Sequence, residues 1–446
     1  MPLLDLLYTA GDRKRPQARR LDCVARSPFL RSFPVSHDHE GLIPMNVDQT
    51  VGTFLDFFRE RGHQRITGSS LLPPPGDPVL FTTSGMHPLT PYLEGRPHPL
   101  GRRLVNLQRC LRTTDLDEVG DSTHLTMFEM LGSWSLGDYD HQQSLRWGYE
   151  LLRDGFGIRS DRLYVTVFGG DEQVGPDTES LRTWGELGVP VELTGEDNWW
   201  SNGPTGPCGP DSEIFVWIGD GPPQGTPSMD ERWVEVWNHV RMRYRRHEDG
   251  SLEPLPRPSI DTGMGLERLL TILQDQPSIF NCDVFQPWMK TIPSLWRTDE
   301  TSLRVIVDHV RSGIVVIGDG VTPSTTRRGY VLRRLTRRVL TTLWRDDPSR
   351  TLSDLPRDLI EHTLEHFRQP CGVSHVREVF LDEERRFSEL LRRGRQVLTR
   401  EGFIRKLSEE DFDYLHQTHG LPRDLVVGLL AEGGSDPFTH TPGSLG

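Results

Sequence analysis

The sequence lacks any long hydrophobic run. Nowhere in its 446 residues do apolar side chains approach the about eighteen consecutive positions that a membrane-spanning helix needs. A secretory signal is also missing. The five cysteines stand singly, which is typical of proteins from reducing compartments and provides neither a disulfide framework nor the paired spacing of a zinc site. We therefore expect a cytoplasmic protein with no membrane partner and no zinc.

One pair of histidines is a candidate for metal binding. His362 and His366 stand four positions apart on a predicted helix, but no third ligand follows at a suitable spacing, so a solvated helix face is the better interpretation.

The net charge of −13 argues against a chain that coats nucleic acid non-specifically. Residues 304–350 nevertheless contain ten arginines and no lysine against four aspartates and no glutamate. This basic segment is a candidate RNA contact, and a solvated helix face explains it equally well.

The chain is long enough for two or three domains. Residues 1–44 are arginine-rich and show no regular period, so we expect an extension or an upstream start there. Beyond Pro277 the pattern is mainly helical. Residues 203–210, dense in glycine and proline, predict a rigid loop that shapes a pocket. Periodicity further predicts strands over 79–83, 102–112, 124–130, 163–168, 213–218 and 234–240, and helices over 47–61, 144–152 and 178–187.

Residues 259–268, SIDTGMGLER, combine a carboxylate, two glycines and an arginine. We interpret them as a strand, a tight turn at the glycines 263 and 265, and a helix that continues to residue 273. Asp261 can hold an ammonium group, and Arg268 can bind phosphate together with the positive end of the helix. An ordinary strand-to-helix connection with a solvated arginine is the alternative.

A second candidate site lies on the two strands predicted around residues 102–130, which should pair antiparallel through a loop. This pairing would bring Arg112 close to His124 and Phe128. A cation for phosphate and a ring for base stacking suit a purine nucleotide, although a half-buried hairpin with a core phenylalanine has the same pattern. On the strand predicted over 234–240, Glu235 could reach Mg²⁺ on that nucleotide.

Taken together, these stretches resemble the alanyl-tRNA synthetase family of class II aminoacyl-tRNA synthetases. The resemblance covers roughly residues 48–430 and is carried by five blocks, residues 108–112, 128–139, 205–215, 261–268 and 304–334. It implies an α+β fold, an antiparallel class II sheet flanked by helices and followed by a mostly helical region. We accordingly expect an extension over 1–47, an aminoacylation domain over 48–275 and a tRNA acceptor-stem recognition domain over 276–446.

The resemblance implies an enzyme of protein biosynthesis, a ligase that uses ATP and Mg²⁺ to form alanyl-adenylate and then charges tRNA. Arg112 would hold the α-phosphate and Arg268 the γ-phosphate. Phe128 would stack on adenine, with His124 and the Mg²⁺ ligand Glu235 beside it. The residues that resemble the alanine pocket are Trp200, Asn238, Val240, Asp261 and Gly263, with Asp261 on the ammonium group and Trp200 at the methyl group.

The sequence departs from the family where the acceptor stem is read. Thr325 and Gln417 occupy positions at which the family has asparagine and aspartate, so identical tRNA discrimination is not expected, although tRNA-Ala remains the expected partner. The same RNA would be contacted by Arg334, Arg337 and Arg338. The family's editing region is not in this sequence, so we expect serine to be activated without hydrolysis of mischarged tRNA in cis.

Two other functions remain open at this point. The altered Thr325 and Gln417 would suit a paralogue that activates alanine and passes it to a non-tRNA acceptor. A non-catalytic paralogue that binds RNA or a protein partner is the third possibility. Five candidate site residues weigh against it, namely Arg112, Phe128, Asn238, Asp261 and Arg268.

Overall fold

The computed structural model describes residues 45–74, 77, 79–400, 407–419, 421, 423, 426 and 427, and the predicted extension over residues 1–44 lies outside them. The chain divides into two compact units. The first comprises residues 1–69, 82–110 and 128–283, and the second 70–81, 111–127 and 284–446, each considered over its described part. The functional division near residue 275 stays a prediction.

The first unit is built on a mixed sheet, in which nine strands are found among the described residues. In chain order they are β1 Gln64–Arg65, β2 Arg103–Leu111, β3 Met127–Ser135, β4 Leu163–Phe168, β5 Val191–Thr194, β6 Trp199–Ser201, β7 Gly206–Trp217, β8 Trp233–Arg246 and β9 Leu252–Gly265. The sheet order is β1-β2-β3-β9-β8-β7-β4-β5, with β6 paired to β7. From β3 to β4 the pairing is antiparallel, as expected for the fold class. The parallel pairs at the two edges, β1 with β2 and β4 with β5, were not predicted.

The helices of this unit are α1 Val47–Glu60, α2 Thr90–Leu93, α3 His141–Glu150, α4 Thr178–Leu187 and α5 Leu266–Leu273. Helix α1 begins at a capping box, in which the side chains of Asn46 and Gln49 bind each other's backbone N–H groups. Its Phe54 and Phe58 rings pack against Trp237 of β8, with ring centroids 5.7 and 6.3 Å away. Because neighbouring strand residues face opposite sides, Asn238 points to the face that α1 does not cover.

Three local predictions were wrong. Residues 79–83 form no strand, although Phe81 is buried, because the backbone bends at residues 79–81. Strand β7 begins at Gly206, inside the segment predicted as a loop. Gly209 explains this extension, since a Cβ there would lie 2.0 Å from the carbonyl oxygen of Arg241 on β8. The glycines 263 and 265 form no turn either, because β9 passes directly into α5.

The second unit is mainly helical, as predicted. Its helices are α6 Gln286–Leu295, α7 Glu300–Gly318, α8 Arg327–Asp346, α9 Arg357–His366, α10 Val373–Arg400 and α11 Glu409–His419. Helix α7 carries the buried Asp308, whose carboxylate accepts the backbone N–H of Thr126 at 2.9 Å. Its Arg311 lies between the rings of Phe285 and Phe367, 4.7 Å from each centroid. Within the described part of the chain, every helix is too short or too polar to span a membrane.

Candidate active site

Two adjacent strands of the first unit bring four predicted pocket residues to one face of the sheet. Val240 of β8 lies opposite Asp261 of β9, and Asn238 lies opposite Gly263. Directly opposed residues on antiparallel strands project to the same side, where their side chains are close neighbours. The structure therefore brings these four residues together, and their role in binding alanine stays a prediction.

Asp261 is the buried carboxylate of this face, with only 6% of the residue exposed. Its Oδ1 accepts a hydrogen bond of 2.6 Å from the indole Nε1 of Trp134, which lies directly opposite on β3. Burial raises the pKa of Asp261 to about 7, and the Trp134 hydrogen bond opposes that rise. A cationic group bound beside Asp261 would favour the ionised carboxylate, so this position suits an ammonium ligand.

The glycines next to Asp261 make room for two large side chains. A Cβ at Gly263 would lie 2.7 Å from Sδ of Met130, and one at Gly132 would lie 2.2 Å from the ring of Trp134. The surface beside Asp261 is therefore made by Met130 and Trp134, which fill the space the glycines leave. Sequence reasoning assigned no role to Trp134, although it stands inside a block that carries the family resemblance.

Trp200 lies on the short strand β6, opposite Gly209 of β7. Its half-buried ring packs on a hydrophobic cluster that includes Trp134 and Val240. Trp200 therefore shares this cluster with two residues of the Asp261 face, and its place at the methyl side of an alanine pocket stays a prediction.

A second buried carboxylate, Asp211 of β7, was missed by sequence reasoning. It is 1% exposed, and it lies opposite Val240. Its Oδ2 accepts from Nδ2 of Asn238, and its Oδ1 accepts from Nδ2 of Asn198, both at 2.8 Å. The signal available in the sequence was an aspartate directly after the glycine- and proline-rich segment, but no local pattern connects it with Asn238.

Arg268 lies in the first turn of α5, as predicted. Its Nη1 donates to the Glu235 carboxylate at 3.0 Å and to the Glu235 carbonyl oxygen at 3.1 Å. Both side chains are about one third exposed, at 32% and 36%. The predicted phosphate ligand and the predicted Mg²⁺ ligand thus form one ion pair.

The remaining predicted ATP ligands are divided between the units. Phe128 is half-buried on β3 in the first unit. Arg112 and His124 belong to the second unit, where the Arg112 backbone N–H donates to Thr126 at 3.0 Å. The His124 ring contacts the carboxylates of Asp121 and Glu118 at 2.5 and 3.1 Å. That these residues meet Arg268 around one nucleotide stays a prediction.

The predicted tRNA contacts of the second unit are engaged within the protein. Arg334 and Arg338 contact Asp117 at 2.8 and 3.3 Å, and Arg337 contacts Glu383 at 2.6 Å. Thr325 is exposed just before α8. Gln417 lies in α11, and its side chain is outside the described part of the structure. In the described residues, no group of three or more histidine, cysteine or acidic side chains is arranged to hold a metal ion.

Comparison with known proteins adds sequence relatives to this geometry. The family described as tRNA synthetases class II (A) matches residues 49–436. A protein named alanine–tRNA ligase from Treponema pallidum is 40% identical over 422 residues, which cover 88% of this chain and 69% of that protein. Another of that name from Treponema denticola is 46% identical over 317 residues, covering 66% of this chain and 52% of that protein. Among solved structures, Staphylococcus aureus histidyl-tRNA synthetase gives a TM-score of 0.34 at 12% identity over 53% of this chain and 68% of that chain.

Proposed function

Since the chain belongs to the class II tRNA synthetases, in the family of the alanine–tRNA ligases, we propose that it activates alanine with ATP and transfers the alanyl group to tRNA. The family resemblance found in the sequence is confirmed, and so is the fold class. The non-tRNA acceptor and the non-catalytic paralogue receive no support from these relatives. The chain spans between about half and seven tenths of the two relatives' lengths, at 52% and 69%.

The observation that carries the proposal is the buried Asp261 carboxylate beside Asn238, Val240 and Gly263. In a buried site, a single carboxylate can bind the ammonium group of an amino acid through a charge-assisted hydrogen bond. Val240 and Trp200 are apolar neighbours, which suits a ligand that carries a methyl group. No acid–base pair is required for activation, because the substrate's own carboxylate attacks the α-phosphorus of ATP and pyrophosphate leaves.

For the nucleotide, we assign phosphate binding to Arg268 and Arg112, and adenine stacking to Phe128. We also assign His124 to ATP binding. Mg²⁺ would bind together with ATP and neutralise charge on its phosphates. The Glu235 carboxylate supplies the hard oxygen ligands that this ion prefers, and it is partly exposed. When Arg268 turns to bind phosphate, this carboxylate would bind the ion in place of Arg268. Positioning and charge neutralisation supply most of the catalysis in this chemistry.

For the RNA, we assign acceptor-stem contacts to Thr325, Gln417 and the arginines of α8. Because Arg334, Arg337 and Arg338 form ion pairs within the protein, RNA phosphates would compete with Asp117 and Glu383 for them. A cytoplasmic location stays a prediction.

Two assays test the proposed function. ATP–pyrophosphate exchange is measured with each of the twenty amino acids in turn, and charging is then measured on unfractionated tRNA. We expect exchange with alanine, and a charged product whose RNA is tRNA-Ala. An active exchange without any charged tRNA would contradict the transfer step, and absence of exchange with every amino acid would contradict the activation step.

The pKa of Asp261 gives exchange a specific dependence on pH. Burial raises this pKa to about 7, so the carboxylate is ionised at pH 8 and mostly protonated at pH 6. Only the ionised form attracts the ammonium group. We expect kcat/KM for alanine, which reports the free enzyme, to fall about tenfold from pH 8 to pH 6. The measurement is alanine-dependent exchange at saturating ATP, and a flat profile over this range would contradict the assignment.

Trp134→Phe tests the cause of this dependence. The variant removes the hydrogen bond that opposes the rise in the Asp261 pKa, so the midpoint of the pH profile is expected to move upwards. Trp217→Phe is the matched control, because Trp217 is also buried and its Nε1 has no hydrogen-bond partner among the described residues. Equal profiles in the two variants would show that the indole N–H does not act on Asp261.

A further inference from the structure

We propose that Asp211 is a positioning residue of the amino-acid pocket, which fixes the Asn238 amide so that its Oδ1 faces the ammonium group of the substrate. The inference rests on the proposed function and assigns a new residue to the same site. It is carried by the hydrogen bonds of Asp211 and by the buried, unpartnered oxygen of Asn238.

Both carboxylate oxygens of Asp211 are held in place. Oδ1 accepts from Asn198 and Oδ2 from Asn238, at 2.8 Å in each case. Asn198 is itself fully buried, and its Oδ1 accepts a hydrogen bond from the hydroxyl group of Thr194. Hydrogen bonds at both ends of the Asn198 amide hold Asn198 and Asp211 in one arrangement. Asp211 therefore presents a fixed acceptor to Asn238.

This acceptor decides which way the Asn238 amide points. An ionised carboxylate can only accept hydrogen bonds, so the reverse orientation of the amide would bring two acceptors into contact. The Nδ2 of Asn238 consequently faces Asp211, and Oδ1 faces away from it. That Oδ1 is buried and has no hydrogen-bond partner among the described residues. A buried carbonyl oxygen in this condition is complementary to a ligand that brings an N–H donor.

Asn238 and Asp261 are placed to share one ammonium group. Asn238 lies opposite Gly263 and Val240 lies opposite Asp261, so Asn238 and Asp261 are diagonal neighbours on one face. Such neighbours have backbone positions about 7–8 Å apart, and their side chains can reach a group between them. An ammonium group has three N–H donors. One would bind the Asp261 carboxylate, and a second would bind Oδ1 of Asn238.

Asp211→Asn tests this role in alanine-dependent ATP–pyrophosphate exchange at pH 8. The new amide no longer dictates the orientation of Asn238, so the KM for alanine is expected to rise about tenfold or more, as for the loss of a hydrogen bond to a charged group. We expect kcat and the KM for ATP to change less than about threefold, because ATP does not contact Asn238 in the proposed site. Asp177→Asn is the control, since Asp177 is also buried in the first unit and caps α4 outside the pocket. Its KM for alanine should equal that of the wild type.

The double variant Asp211→Asn/Asn238→Asp separates positioning from a merely structural role. It restores an amide–carboxylate hydrogen bond with its direction reversed, and it still offers an oxygen to the ammonium group. The KM for alanine is expected to return to within about threefold of the wild type. Thermal unfolding of each variant is measured alongside.

Several results would overturn the inference. They are an unchanged KM for alanine in Asp211→Asn, an equal rise in Asp177→Asn, or a KM for alanine that does not recover in the double variant. If Asp211→Asn does not fold, the double variant decides alone. Failure of both variants to fold would make Asp211 a structural residue. A wild-type protein without alanine-dependent exchange would refute the proposed function as well, whereas the other results leave that function standing.

Discussion

Asp261→Asn is expected to lower kcat/KM for alanine in pyrophosphate exchange by roughly 10²- to 10⁴-fold. The substituted amide keeps the shape of the side chain but carries no charge. An ammonium group entering this buried site would then lack its counter-charge, and removing one partner of a buried ion pair costs about 3–5 kcal/mol. Asp261→Ala should abolish the exchange, because it also removes the hydrogen-bonding oxygens.

The stability of Asp261→Asn distinguishes lost alanine binding from lost folding. The pKa of Asp261 rises from its ordinary value of 3.8 to about 7 on folding, so the folded chain binds more protons than the unfolded chain between these pH values. The free energy of unfolding therefore falls as pH rises from about 4 to 7, and the whole penalty is present above pH 7. Asparagine carries no such penalty. We expect Asp261→Asn to be at least as stable as the wild type at pH 8.

The measurements are exchange kinetics and thermal unfolding at pH 8. Asp230→Asn is the control, since Asp230 forms an ion pair with the nearby Arg232 and lies outside the proposed pocket. This control should retain the exchange rate of the wild type. An Asp261→Asn enzyme that keeps its kcat/KM for alanine within about threefold would remove Asp261 from the pocket.

The parts of the fold that follow from local pattern were predicted well. The helices over 178–187 and 266–273 agree with α4 and α5 at both ends, and the strand over 163–168 agrees with β4. In each case the residues that decide the structure are neighbours in sequence. The length of strand β7 was underestimated because glycine and proline usually mark loops. Its extension towards Gly206 depends on how closely β8 approaches Gly209, which no local pattern shows.

The site was predictable only in part, for a related reason. Alternation along β8 shows that Asn238 and Val240 share a face, but the pattern within one strand does not identify the neighbouring strand. Family resemblance supplied Asp261 and Gly263, which the structure places opposite them. Trp134 and Asp211 were missed because their contacts are non-local. Trp134 is 127 positions from Asp261, and Asp211 is 27 positions from Asn238.

Arg268→Ala is expected to lower kcat/KM for ATP by about 10²- to 10³-fold, as for other groups that stabilise charge in a transition state. The contacts with Glu235 engage Nη1 of the guanidinium group. Because arginine has five N–H donors in a planar fork, Nε and Nη2 can present a bidentate edge to phosphate oxygens while Nη1 keeps its hydrogen bond to the Glu235 carbonyl oxygen.

Arg268→Lys separates charge from geometry in this interaction. Lysine keeps the positive charge but presents a single ammonium group, so we expect only part of the lost kcat/KM for ATP to return. The measurement is pyrophosphate exchange with ATP varied at saturating alanine, and Arg232→Ala is the control, since Arg232 forms its ion pair with Asp230 outside the site. If Arg268→Lys had the same kcat/KM for ATP as the wild type, the positive charge alone would account for the contribution of Arg268. An Arg268→Ala enzyme with undiminished kcat/KM for ATP would refute phosphate binding by Arg268, because no other change to α5 is made in this variant.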